Sequence, residues 1–187
     1  MRIIAGQAGG LSLRVPRGEV RPTTDRVREA LFSILRARVA GGIVLDLFCG
    51  SGALALEALS RGASRARMVD SSCAACRVAE ENLRASGLSG GSVSVCDCLR
   101  FVKRDRGVYD LILADPPYCK ALGDRDFISE LLMSRLHEML APGGFFVAEA
   151  QAGYGAAAHM GTPPLPWRLS ARRQYGKNVL LFYTVPS

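Results

Sequence analysis

Hydrophobic positions along this chain gather into short dense runs separated by stretches with helical spacing. Ile43-Val44-Leu45-Asp46-Leu47-Phe48 is one such run, rich in β-branched residues and of a length that suits a buried parallel strand. It passes through Cys49-Gly50-Ser51-Gly52 into an Ala/Leu-rich helix predicted over 53–59. A second strand is predicted over 65–70, then a helix capped by Ser71 or Ser72 and broken by Gly87, Gly90 and Gly91. Strands follow over 92–96, where Val93 and Val95 alternate, and over 109–114. Ile128, Leu131, Leu132, Leu136 and Leu140 mark one face of a helix over 127–140, and Pro142-Gly143-Gly144 turns into a strand over 145–148. Two last strands, 167–174 and 178–184, form a hairpin around Tyr175-Gly176-Lys177. Strands alternating with helices predict an α/β fold, and the chain is long enough for a doubly wound sheet in one domain, 1–187.

Ahead of this core, residues 2–5 and 11–15 are two extended runs joined by Gly6, Gly9 and Gly10, the pattern of a β-hairpin. Pro16, Gly18 and Pro22 mark a loop, and Thr23-Thr24 offers an N-cap with Asp25 in the first turn. Val27, Ala30, Leu31, Ile34 and Leu35 then recur on one helical face, with Arg26 and Arg28 off that stripe. This unit is too small to fold alone, so it is expected to pack on the core and bring its arginines to the mouth of a site.

Charge changes this picture more than composition does. The chain carries a net +7, and residues 1–40 hold eight arginines against Glu19, Asp25 and Glu29, a local excess of +5. A basic arm of this kind points to a polyanion, of which nucleic acid is the commonest. No apolar run reaches a membrane span, and the first residues lack the apolar core of a signal peptide, so a cytoplasmic protein without membrane contact is expected. Cysteines 49, 73, 76, 96, 98 and 119 do not fall into paired zinc spacings; they are read as buried free thiols, and no metal is expected.

The candidate chemistry lies at two turns. A glycine turn between a strand and a helix lets a ligand approach the backbone, and the helix N-terminus offers N–H groups to it. Asp46 lies inside a buried strand, where a carboxylate needs a partner. Asp70 ends the next strand, placed to accept hydrogen bonds from ribose hydroxyls. Asp97 follows the third strand, either as a helix N-cap or as an acceptor for an adenine amino group. The form D-x-F-x-G-S-G departs from the dinucleotide fingerprint and resembles the S-adenosylmethionine (SAM) site of Rossmann-like methyltransferases. The second turn, Asp115-Pro116-Pro117-Tyr118, follows the fourth strand. Its prolines fix a rigid turn, Asp115 and the Pro116 carbonyl are acceptors aimed at an amino group, and Tyr118 offers a face on which a base can stack.

Arg21-Pro22-Thr23-Thr24-Asp25-Arg26-Val27-Arg28-Glu29, the Asp46–Leu54 turn, Glu57-Ala58-Leu59-Ser60-Arg61-Gly62 and Asp115-Pro116-Pro117-Tyr118 together resemble the bacterial 16S ribosomal RNA guanine-N2 methyltransferase family (RsmD-type). The resemblance implies a Rossmann-like class I SAM-dependent methyltransferase fold with a mostly parallel seven-stranded sheet, a final antiparallel strand and an N-terminal hairpin-helix extension. It implies methyl transfer from SAM to the exocyclic N2 of one guanine in 16S ribosomal RNA, met in an assembling small ribosomal subunit by a monomeric enzyme. Asp46, Gly50 and Gly52 would hold the methionine end of the cofactor, Asp70 the ribose and Asp97 the adenine, with Phe48 also among the cofactor-binding residues. Asp115, Pro116, Pro117 and Tyr118 would receive the guanine, and Arg21, Thr24, Arg26 and Arg28 would contact RNA. Asp70 stands where many members have Glu, which shortens its reach. Three other readings remain open: adenine-N6 methylation of DNA, cytosine-C5 methylation with Cys119 as nucleophile, and a non-catalytic RNA-binding module.

Overall fold

A computed structural model describes residues 1–16, 25–117, 124–155 and 162–186. In chain order the elements are α1 (Asp25–Val39), β1 (Ile43–Asp46), α2 (Ala53–Ser60), β2 (Arg65–Asp70), α3 (Cys73–Ser86), β3 (Gly91–Val95), α4 (Cys98–Arg104) and β4 (Tyr109–Ala114). There follow α5 (Phe127–Leu132), a 3-10 turn (Arg135–Met139), β5 (Leu140–Gln151), β6 (Arg168–Tyr175) and β7 (Asn178–Thr184). The strands form one seven-stranded sheet in the order β3-β2-β1-β4-β5-β7-β6, in which β7 alone runs antiparallel to its neighbours. This is the class I SAM-dependent methyltransferase fold expected above, with its N-terminal extension.

Both faces of the central strands are covered, which explains their unbroken apolar runs, while the edge strands β3 and β6 contain no buried residue. Leu111 and Leu113 of β4 face the side of α1 and α2, together with Val147, Leu180 and Phe182. Ile112 faces the other side, with Phe146, Leu181, Trp167 and the apolar residues of α4 and α5. Among the described residues no helix is long and apolar enough to cross a membrane.

Several sequence expectations are corrected in detail. β1 ends at Asp46 rather than at Phe48, because the chain begins to turn at Leu47 while still donating from Leu47 N to the Leu113 carbonyl at 2.9 Å. The helix expected over 127–140 splits in two. Ser134 Oγ accepts from Leu136 N at 3.2 Å and starts the 3-10 turn, while the indole N–H of buried Trp167 donates to the Leu132 carbonyl at 2.9 Å. β5 starts earlier and ends later than 145–148: Leu140 pairs with Tyr109, the register slips, and pairing resumes at Leu111–Phe145. The extra residues bulge out around Gly143 at φ 72°.

The buried stripe of α1 is rotated from the expected one. Val27, Arg28, Leu31, Phe32, Leu35 and Val39 face inward, whereas Ile34 is 48% exposed. The N-terminal hairpin forms as expected, with Ile3 N donating to Leu11 O and Gly10 N to Ile3 O, each at 2.9 Å, around an Arg2–Ser12 bridge. The proposed Thr23-Thr24 cap lies outside the described residues.

Candidate active site

The strand order reverses between β1 and β4, since β2 and β3 build outward on one side and β4 and β5 on the other. Open α/β sheets bind ligands at the carboxyl ends of the strands at such a switch point. The two turns singled out in the sequence leave the sheet there, the glycine turn after β1 and Asp115-Pro116-Pro117 after its neighbour β4. Asp46, Asp70 and Asp97 close or follow β1, β2 and β3 along the same edge.

The glycine turn is tightly built. Gly50 has φ 51° and Gly52 φ 80°. A Cβ on Gly52 would come within 2.9 Å of the Met68 sulfur and 3.3 Å of the Ala79 methyl, so only glycine fits beneath this turn. Asp70 holds the turn from the side: one carboxylate oxygen accepts from Gly50 N at 2.9 Å and the other from Ser72 N at 2.8 Å. A carboxylate has about four acceptor sites, so both oxygens keep capacity for a hydroxyl. Cys76 Sγ lies 3.5 and 3.6 Å from the carbonyls of Asp70 and Ser94, either of which its one proton can reach, and its interaction with the buried Cys49 thiol raises the pKa of that thiol and lowers its own. These thiols pack the floor of the turn. Among the described residues no three His, Cys, Asp or Glu side chains cluster as a metal site.

Asp46 is fully buried beneath the turn. Its Oδ2 accepts from Ala55 N at 3.3 Å, and its Oδ1 has no partner. Burial pushes its pKa from 3.8 to about 7, the Ala55 hydrogen bond opposing and the Asp70 charge reinforcing that rise. A buried carboxylate oxygen without a donor is expensive. An ammonium group entering the turn would satisfy it, so the residues present fit the methionine end of SAM. Asp97 Oδ1 accepts from Arg100 N at 3.0 Å and caps α4. The plainer of its two readings therefore holds in this structure, with its second oxygen available to a ligand.

The Asp115 turn is half open: Asp115 is partly buried, Pro116 buried and Pro117 exposed. Beside it lies a shallow cleft lined by Pro116, Pro117, Arg125, Phe127, Glu149 and Tyr154. Phe48 reaches the edge of this region and meets Phe127 edge-on at 5.3 Å between centroids. Arg125 stacks over Phe127 at 4.3 Å and pairs bidentately with Glu130. The sequence did not single out Arg125, Phe127, Glu149 or Tyr154, because they come from separate segments and carry no local motif. Tyr118 and Cys119 lie outside the described residues.

The family described as "Conserved hypothetical protein 95" matches residues 1–184. The Escherichia coli protein named "Ribosomal RNA small subunit methyltransferase D" is 31% identical over 175 residues, which cover 93% of this chain and 83% of that protein. Among solved structures, Escherichia coli yhhF superposes with a TM-score of 0.83 at 31% identity, covering 99% of this chain and 97% of that one. A hypothetical protein of Thermus thermophilus superposes with a TM-score of 0.79 at 32% identity, covering 99% of both chains. The chain belongs to this family of SAM-dependent methyltransferases.

The other motifs that carried the family resemblance now have physical roles. Glu57, fully buried in α2, accepts from Ile4 N at 2.6 Å, Ala5 N at 3.1 Å and Arg61 Nε at 2.6 Å. Ser60 Oγ donates to Ala5 O at 2.6 Å and accepts from Ala8 N at 2.9 Å. The Glu57-to-Gly62 motif is thus the fastening of the N-terminal hairpin. Asn82 of α3 holds the other arm through Arg14 N and Arg14 O, each at 2.9 Å, and reaches Ser51 O of the glycine turn at 2.8 Å.

Of the four residues expected to contact RNA, Arg21 and Thr24 lie outside the described residues, and Arg26 is exposed in the first turn of α1. Arg28 requires a correction. It is wholly buried, its Nη2 donating to Arg2 O at 2.6 Å and to Asp25 Oδ1 at 2.7 Å. It falls on the inward stripe of α1 beside Val27, so it joins helix to hairpin and presents nothing to a phosphate in this structure.

Proposed function

We propose that this protein transfers a methyl group from SAM to the exocyclic N2 of one guanine in 16S ribosomal RNA, acting as a cytoplasmic monomer on the assembling small subunit. The observation that carries this reading is the switch point itself. A cofactor turn over an unsatisfied buried carboxylate lies next to a rigid Asp-Pro-Pro turn at the ends of adjacent strands. The 31% identity to a protein named for small-subunit ribosomal RNA methylation supports the substrate.

When bound, SAM supplies an electrophilic methyl group. Asp46, Phe48, Gly50 and Gly52 hold its methionine end, Asp70 its ribose and Asp97 its adenine. A guanine amino group is a poor nucleophile because its lone pair is delocalised into the ring. Asp115 and the Pro116 carbonyl would accept hydrogen bonds from its two hydrogens and favour a pyramidal nitrogen, the two prolines would hold those acceptors still, and the surplus proton would leave the methylated nitrogen to water. The guanine enters flipped out or already unpaired, against Tyr118 and the cleft beside Pro117. No covalent enzyme intermediate is required.

The test is methylation of 16S RNA and of small subunits from a strain lacking the gene, with the modified nucleotide mapped. Wild-type protein is expected to methylate one guanine at N2. Asp115→Ala is expected to lose methylation while SAM affinity stays within a few-fold, because an acceptor that acts on the reacting nitrogen appears in kcat rather than in cofactor binding. Methyl groups on adenine N6 of DNA or on cytosine C5, or a fully active Asp115→Ala, would overturn the proposal.

A further inference from the structure

From Ala150 onward the sequence contains Arg168, Arg172, Arg173 and Lys177 and not one Asp or Glu. All four cations lie on β6 or in the turn that joins it to β7, and all are exposed. Among the described residues none of them forms an ion pair. Eight arginines elsewhere, Arg61, Arg67 and Arg135 among them, are matched with a carboxylate, while others, such as Arg100 and Arg104 of α4, form no ion pair among the described residues; what sets the hairpin apart is the absence of any acid in its own segment. The β6–β7 hairpin is therefore a second basic surface, separate from the N-terminal arm and with no acid in its own segment to offset it.

Its position relative to the site follows from register. β5 and β6 are both antiparallel to β7, so they run in the same direction. Ala114 of β4 pairs with Ala148, which pairs with Leu181, which pairs with Arg172. Arg172 is thus level with the residue before Asp115, three inter-strand steps or about 14 Å away. Arg173 is one row nearer the carboxyl edge, level with Glu149 of the cleft. Lys177 lies at that edge, its carbonyl accepting from Ala152 N at 2.9 Å just beyond the end of β5.

The N-terminal hairpin lies on the other side of the site, while α1 crosses the sheet over β4 and β5. Glu57 and Asn82 fasten the hairpin to α2 and α3, which follow β1 and β2. Arg38, in the last turn of α1, donates to the Gly143 carbonyl at the amino edge of the sheet. The first turn of α1, with Arg26, therefore points to the carboxyl edge where the site opens. Charges on an edge strand also deter pairing with other chains, but Lys177 lies in a turn, where that protection is not needed.

We propose that the edge and tip of the β6–β7 hairpin, with Arg172 and Arg173 leaving opposite faces of β6 and Lys177 in the turn, form a second phosphate-binding surface that holds the RNA on the side of the target nucleotide opposite the N-terminal hairpin. Phosphate contacts on both sides of the entering base fix the register and direction of the strand without reading its sequence. This inference rests on RNA being the substrate, and its test separates the two ideas.

Binding of a 16S RNA fragment is measured across a range of salt for wild type, the triple variant Arg172→Gln/Arg173→Gln/Lys177→Gln, and the single variant Lys177→Gln. Each lost phosphate contact reduces the slope of log affinity against log salt by about 0.7–0.9. The triple variant is expected to lose roughly 2–3 from the slope and Lys177→Gln about 0.7–0.9, with SAM affinity unchanged in both. Arg172→Lys/Arg173→Lys, which keeps the charge, is expected to retain the wild-type slope. Should the triple variant fail to fold, Lys177→Gln, an exposed turn substitution, still decides the matter. A wild type that binds and methylates the RNA, alongside variants with an unchanged slope, overturns the hairpin surface and leaves the activity standing. A wild type that neither binds nor methylates RNA overturns both.

Discussion

Asp46 and Arg28 are single buried charges in two different settings, one beneath the glycine turn and one joining helix to hairpin. The pKa of Asp46 rises from 3.8 to about 7 in the fold. Between those values the folded protein holds a proton that the unfolded chain has lost. The stability of the ligand-free protein is therefore expected to fall as pH rises from about 4 to about 7 and then to level. Affinity for SAM should move the opposite way, rising by up to about tenfold per pH unit towards 7, because the ionised carboxylate is the form that pairs with an ammonium. Thermal unfolding and calorimetry at pH 5 to 8 check both, and Asp46→Asn should flatten both dependences; an unaltered slope in that variant removes Asp46 as their source. Arg28 has two guanidinium nitrogens, Nε and Nη1, buried without partners. Replacing an imperfectly satisfied buried ion by an apolar residue of similar size is often neutral or stabilising. Arg28→Met is expected to match or exceed the wild-type midpoint in thermal unfolding and to leave the salt slope of RNA binding unchanged, whereas Arg26→Gln should lower that slope by about 0.7–0.9.

At the scale of elements, the N-terminal hairpin has almost no ladder of its own, and side chains from α2 and α3 hold it. Glu57 opened one of the motifs that carried the family resemblance, with no role assigned to it, and it is fully buried because three donors converge on it. Asn82 carried no signal at all, and it ties the hairpin to the glycine turn through three hydrogen bonds. Asn82→Ala would leave Arg14 N, Arg14 O and Ser51 O without their partner. Ser51 O is buried and would cost about 1–3 kcal/mol unsatisfied, whereas the Arg14 groups lie nearer water and cost less, so a drop in thermal midpoint is expected. Because Ser51 belongs to the turn proposed to hold SAM, SAM affinity measured by calorimetry should weaken several-fold in the same variant. A variant that loses stability but keeps full SAM affinity would show that the hairpin and the turn are mechanically independent. The two helices that the sequence pattern placed least well, α1 and the split pair over residues 127–139, are those whose faces are decided by neighbours. Phe32 turns inward under Arg61 at 5.2 Å, and Ser134 together with Trp167 breaks the second helix.

For the whole molecule, the positions of the strands along the chain, the two special turns at their ends and the excess of basic residues near the N-terminus were legible in the sequence, each for a local reason. Strand and helix periodicity is written in neighbouring residues. A turn that needs Gly50 and Gly52, or that Pro116 and Pro117 stiffen, announces itself by those residues. Tertiary structure alone decided that Arg28 is buried, that Glu57 and Asn82 are fasteners, and that Arg125, Phe127, Glu149 and Tyr154 line one cleft. It alone placed Arg172 and Arg173 in register with the Asp115 turn, across β5 and β7. Those facts depend on which distant segments pack against which. Periodicity shows that a helix has an inner face and a strand has two. The angle at which that face meets its neighbours, and the strand that lies beside it, are set by packing and pairing between residues up to about a hundred positions apart.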